Sequence, residues 1–102
     1  MNHTLFSEIN GKSIRIDHFE IETNDETLDI KMMCMTENGN TYGIAFENVS
    51  MLKLSSISYP FQIHGFEILD YSSCGYEKDR HFFVNDYEDG KLSFFCEKYY
   101  KI

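Results

Sequence analysis

Ser13-Ile14-Arg15-Ile16-Asp17-His18-Phe19-Glu20-Ile21-Glu22-Thr23 is the stretch that decides the class of fold. Apolar and polar residues alternate along it, which is the mark of a half-buried strand. The alternation changes phase part way: Ile14 and Ile16 are even, Phe19 and Ile21 are odd. A one-residue slip inside a continuous strand predicts a β-bulge, here at Asp17-His18. Residues 61–71 repeat the pattern, with Phe61 and Ile63 odd and Phe66 and Ile68 even. That slip falls at His64-Gly65, and glycine suits a bulge. Bulges bend sheets, so the two slips favour a small sandwich or partly open barrel over a flat sheet.

Outward from these strands, turn signals recur at short intervals: Asn10-Gly11, Asn24-Asp25-Glu26, Asn38-Gly39, Tyr59-Pro60, Ser72-Ser73-Cys74-Gly75 and Asp89-Gly90. The intervening segments are of strand length and rich in Ile, Phe, Tyr and Thr. A capped apolar repeat of 3.6 residues is not sustained anywhere. The expectation is one all-β domain over residues 1–102, built from hairpins, with seven or eight antiparallel strands. Residues 48–56 suit a short helix or a strand equally well, since Val49, Leu52 and Ser56 fit one stripe while Leu52 and Leu54 alternate.

Asn-Gly and Asp-Gly favour two-residue type I′ turns. Closing one over Asn10-Gly11 sets Leu5, Ile9, Ile14 and Ile16 on one face. A turn over Asp89-Gly90 sets Tyr87 opposite Leu92, Asn85 opposite Phe94 and Phe83 opposite Cys96, with Val84 and Phe95 on the other face. One over Asn38-Gly39 groups Met33 and Met35 with Tyr42 and Ile44, against Ile30, Met32, Cys34 and Ala45. The last two hairpins thus carry large apolar groups on both faces, where a sheet with one wet face should alternate cleanly.

The chain has 102 residues, enough for one domain with its own core. Asp and Glu number 17 and Lys and Arg 9, a net charge of −8. Such a balance argues against sequence-independent nucleic-acid binding and against docking on anionic membranes. Met1 to Glu8 contain neither a basic region nor an apolar run, and the longest apolar run is Met32-Met33-Cys34-Met35. The expectation is a cytoplasmic protein without a secretory signal or a membrane helix. Three cysteines, Cys34, Cys74 and Cys96, suit free thiols in a reducing compartment, two of them apolar fillers in strands.

Chemistry-bearing motifs are scarce. His3, His18, His64 and His81 are scattered, with no metal-binding helical spacing. His18 and His64 both sit at bulges, which can aim a side chain into a site, although exposed histidines are the plainer reading. Cys74 with His81 gives at most two of the four ligands a structural zinc needs. Asn85-Asp86-Tyr87-Glu88-Asp89-Gly90 looks like a calcium loop, but Tyr87 occupies a ligand slot, so a hairpin tip with solvated acids is the better reading. Glu20 and Glu22 share a strand face as solvated carboxylates. There is no Gly-x-Ser-x-Gly and no glycine-rich phosphate loop. No catalysis, metal or cofactor is expected.

Nine Phe and seven Tyr, without Trp, are more than a core of this size is expected to hide. Together with the two-faced hairpins they point to a protein partner, either a second copy of the chain or a basic protein that the acidic charge steers. The candidate contact residues are Tyr59, Phe61, Tyr76, Phe82, Tyr99 and Tyr100. The leading expectation is a non-catalytic protein-interaction module. The alternatives are an immunity-type inhibitor of a basic toxin, and a small enzyme or ligand-binding protein with a pocket near His18 and His64.

Three segments, Phe46-Glu47-Asn48-Val49-Ser50, residues 59–68 and Asp86-Tyr87-Glu88-Asp89-Gly90-Lys91-Leu92-Ser93-Phe94-Phe95-Cys96, resemble a family of small uncharacterised proteins of Bacillus-type Gram-positive bacteria, the YxiG-like group. The likeness spans residues 46–96. It implies no activity and no functional residues.

Overall fold

A computed structural model of the chain describes residues 9–55 and 61–102. Eight antiparallel strands form one sheet: β1 (Lys12–Thr23), β2 (Leu28–Thr36), β3 (Thr41–Glu47), β4 (Ser50–Leu54), β5 (Phe61–Asp70), β6 (Phe82–Asp86), β7 (Leu92–Cys96) and β8 (Lys98–Lys101). A turn of 3-10 helix spans Lys78–Arg80. The spatial order is β4-β7-β6-β5-β1-β2-β3-β8.

The two ends of that order are joined through the chain. β3 and β4 flank only Asn48 and Val49, and β7 and β8 flank only Glu97. The pairing Glu47↔Lys98 on one side of the corner and Ser50↔Phe95 on the other keeps one register through it. Segments 41–54 and 92–101 are therefore two bent ribbons laid side by side, each giving one half to either end of the sheet. Asn48 makes the bend at φ 55°. Its N–H donates to Asp29 Oδ1 at 3.0 Å, and its Nδ2 donates to Glu97 Oε1 at 3.1 Å. Glu97 N–H donates to the Glu47 carbonyl at 2.9 Å. The result is a partly open barrel. Its interior is one cluster of apolar side chains, with Phe46 edge-on to Phe94 at 5.0 Å and Tyr99 edge-on to Phe82 at 5.1 Å.

Both phase slips are bulges. The β1–β2 register shifts between Ile16 and His18, leaving Asp17 extra. In the β1–β5 ladder Lys12 pairs Phe66 and Ile14 pairs Ile63, so His64 and Gly65 oppose Ser13 alone. Gly65 lets two side chains lie close over the bulge: a Cβ would lie 2.7 Å from Glu88 Cγ and 2.9 Å from the Tyr87 ring, so both would have to shift. Residues 48–56 resolve in favour of strand, with β4 running to Leu54; Ser56 lies outside the described residues.

The expected hairpin registers are off by one. Cys34 pairs Tyr42 and Met32 pairs Ile44, which closes a three-residue loop, with Thr36 N–H donating to the Asn40 carbonyl at 2.9 Å. Phe83 pairs Phe95 and Val84 pairs Phe94, which leaves a five-residue loop over 87–91. A type I′ turn needs positive φ at both central residues. Gly39 (85°) and Gly90 (67°) have it, whereas Asn38 and Asp89 do not. A one-residue slip exchanges faces on one strand relative to the other. With the true register, Ile30, Met32, Cys34, Tyr42, Ile44 and Phe46 all face inward, and burial alternates along β2, β6 and β7. The two-faced hairpins are thereby corrected.

The hairpin over Asn10-Gly11 is corrected as well. Ile14 and Ile16 are already bonded to β2 on one side and to β5 on the other, so no edge remains for a preceding strand. Leu5 and Ser7 lie outside the described residues. Cys34 and Cys96 are buried free thiols within strands, and Cys74 is free and exposed.

Candidate functional site

The excursion between β5 and β6 builds the site. Asp70 ends β5 and accepts the Ser72 N–H at 2.9 Å and the Ser72 hydroxyl at 2.6 Å, which holds its carboxyl below the ordinary range. Tyr71 N–H donates to the His81 carbonyl at 2.7 Å and clamps the base of the excursion. Cys74 N–H donates to the Tyr71 carbonyl at 3.0 Å, and Gly75 supplies φ 78° for the turn back. Ser50 of β4 donates its hydroxyl to the Asp79 carbonyl at 3.1 Å, pinning the 3-10 turn to the barrel.

Under the excursion the outer face of the barrel is apolar. Leu69, Phe83 and Phe95 are successive cross-strand neighbours on β5, β6 and β7. The Phe83 and Phe95 rings stand 4.6 Å apart. Tyr71 and Tyr76 meet edge to face at 5.8 Å and form a wall. Tyr71, Cys74, Tyr76, Arg80 and Phe95 line an open groove of about 370 Å³. Among the described residues its single cation, Arg80, is exposed and no carboxylate pairs with its side chain. The other arginine, Arg15, is taken by Asp17 at 2.7 Å. Tyr, Phe and Arg around a concavity are the residue types enriched at the centres of protein interfaces.

Of the expected contact residues that are described, only Tyr76 (54% exposed) lies in this groove. Tyr100 is exposed on β8, where its hydroxyl donates to Glu47 Oε2 at 2.9 Å, which raises the phenol above its ordinary value. Phe61 (3% exposed) and Tyr99 (4%) are inside the barrel and offer a partner no ring surface. Phe61 points inward in the same phase as Ile63, and Tyr99 packs inward on Phe46. Phe82 is half-buried and packs against Tyr99. Tyr59 lies outside the described residues. Tyr71, Cys74, Arg80 and Phe95 were not among the expected residues; the Phe94-Phe95 pair marked an inner and an outer ring, but only the register says which is which.

His18 and His64 are both exposed. His18 Nε2 is 3.2 Å from Glu20 Oε1. His64 lies opposite Ser13, five residues from His18 along β1, a separation of roughly 16 Å at strand rise. Among the described residues no cluster of three or more His, Cys, Asp or Glu side chains is placed to hold a metal. Ser50 and Lys53 stand three apart on β4, but the Ser50 hydroxyl is committed to a backbone carbonyl. Asp86, expected in water at the hairpin tip, is 1% exposed, and its oxygens accept backbone N–H groups. Among the described residues no helix is long and apolar enough to cross a membrane.

Compared with known proteins, the chain matches no family model, no curated sequence and no solved structure.

Proposed function

We propose that the chain is a non-catalytic protein-interaction module of the cytoplasm, which docks a protein partner at the groove over β5, β6 and β7. One observation carries the reading: two tyrosines, a phenylalanine and an arginine that has no ion pair among the described residues converge on one concavity beneath a clamped excursion. A half-exposed ring gains from burial against a partner, and a preordered wall limits the entropy lost on docking. The net charge of −8 speeds the encounter with a cationic partner. That charge also favours the second reading, an immunity-type inhibitor of a basic toxin. The rival of a small enzyme or ligand carrier is disfavoured by the distance between His18 and His64 along β1.

The test is capture from the native host with tagged wild type, Tyr76→Ala and Tyr100→Ala, alongside light scattering of the purified chain. A partner, or a dimer, that persists with Tyr100→Ala and is lost with Tyr76→Ala is expected. If both substitutions retain the same bound proteins, or the wild type holds none and is monomeric, the reading is overturned.

A further inference from the structure

The charge arrangement in the groove narrows the chemistry of the partner; the step rests on the docking reading above. Among the described residues Arg80 is the one cation lining the groove. Its own excursion carries Glu77 and Asp79, yet among the described residues neither reaches its guanidinium. Asp79 is held to β4 through its backbone carbonyl, so the 3-10 turn cannot swivel freely to close that gap. A partner that covered Tyr76 and Phe95 would desolvate Arg80. Desolvating an unpaired guanidinium is costly, and setting a second cation against it is worse. A planar fork of donors is matched by a carboxylate. Apart from Cys74 the rest of the lining is aromatic and takes an aromatic side chain edge to face, as Tyr71 already meets Tyr76.

We infer that the groove receives a segment of a partner protein that places one aromatic side chain beside one carboxylate, the ring against Tyr76 and Phe95 and the carboxylate on Arg80. A partner that is cationic overall still carries an acid at this point. The acid then fixes register, while the surrounding charges set the rate of encounter.

Three capped peptides serve as probes: acetyl-Ser-Phe-Asp-Ser-amide and its counterparts with Asn and with Lys in place of Asp. Each is titrated to millimolar concentration into the full chain, and backbone amide shifts are followed by NMR. The Asp peptide is expected to move the amides of Tyr71, Cys74, Tyr76 and Arg80. Asn in place of Asp, or Arg80→Gln in the protein, is expected to weaken binding by roughly two- to fivefold, the range for an exposed ion pair. Tyr76→Ala is expected to abolish the shifts for all three peptides. If the Lys peptide binds the groove as tightly as the Asp peptide, or Arg80→Gln changes nothing, the carboxylate assignment is overturned and the docking site stands. If no peptide moves those amides, both fall.

Discussion

Asp86 sits at the end of β6 with 1% of its surface exposed, and its carboxylate organises the loop that follows. Oδ1 accepts the N–H groups of Glu88 at 3.2 Å and Asp89 at 3.3 Å, and Oδ2 accepts that of Lys91 at 3.0 Å. The Gly90 N–H donates to the Asp86 carbonyl at 3.1 Å. A buried carboxylate with three donors replaces its lost hydration, whereas Ala would leave three loop N–H groups to find water. Asp86→Ala is expected to destabilise the fold by about 2 kcal/mol in denaturant titration. Asp86→Asn keeps one acceptor oxygen and is expected to cost about half as much. Hydrogen exchange at Glu88, Asp89 and Lys91 should accelerate in step, and unchanged exchange there would show that the carboxylate does not hold the loop. The Asp89-Gly90 signal in the sequence correctly located a turn. It could not show that an acid three residues earlier sets the loop length, because Asp is common both as a tip residue and as an acceptor for loop N–H groups.

At the scale of elements, the legible features are those that leave a mark in parity. Asp17 and His64-Gly65 shift the apolar alternation by one, and the bulges lie where that shift falls. Loop length leaves no such mark: Asn38-Gly39 serves a two-residue or a three-residue loop, and the choice inverts the relation between the partner strands. The bends that curl the sheet were also hidden, since Asn48 and Glu97 lack the glycine that usually signals a corner. Met51 belongs to this group. It has φ 55° in the irregular stretch of the β4–β7 ladder, between the pairs Ser50↔Phe95 and Lys53↔Ser93, and it is 56% exposed. A left-handed conformation costs a non-glycine residue roughly 1–2 kcal/mol, against roughly 0.5–1 kcal/mol for the extra freedom a glycine loses on folding. Met51→Gly is therefore expected to raise stability by about 0.5 kcal/mol, read as a higher denaturation midpoint at unchanged slope. A lower midpoint would mean that the Met51 side chain contributes more than its exposure suggests. Asn48 shares the same φ, but its side chain and N–H bind Glu97 and Asp29, so replacing it is expected to destabilise the corner.

Across the whole molecule, the rings that looked too many for one core are not all inside it: Tyr87 and Tyr100 are exposed, and others line the groove. Phe46, Phe66, Phe94 and Tyr99 fill the barrel, while Phe83 and Phe95 lie outside with their rings in contact, Phe95 in the groove with Tyr71 and Tyr76. The number of aromatic residues was legible; the division needed the register. Because the interior is one cluster, its two thiols share one fate. Burial pushes Cys34 and Cys96 from 9.0 up to about 12 each. A raised folded value means that the folded state keeps its proton where the unfolded chain has lost it. The stabilising effect is complete below pH 9 and declines as pH rises towards 12, by up to about 1.4 kcal/mol per pH unit for each thiol. Tyr99, raised by burial from 10.0 to about 12, adds to the decline in the upper part of that window. Urea unfolding between pH 8 and 11 should therefore show stability falling steeply above pH 9. The Cys34→Ala, Cys96→Ala double variant should start lower, because two cavities open in the core, but lose less per pH unit. At pH 8 a thiol reagent should modify Cys74 alone in the native chain and all three cysteines after unfolding. An alkaline slope equally steep in the double variant would place the titrating groups elsewhere. Fast modification of a second thiol in the native state would show the barrel opening around β2 or β7 well before it unfolds.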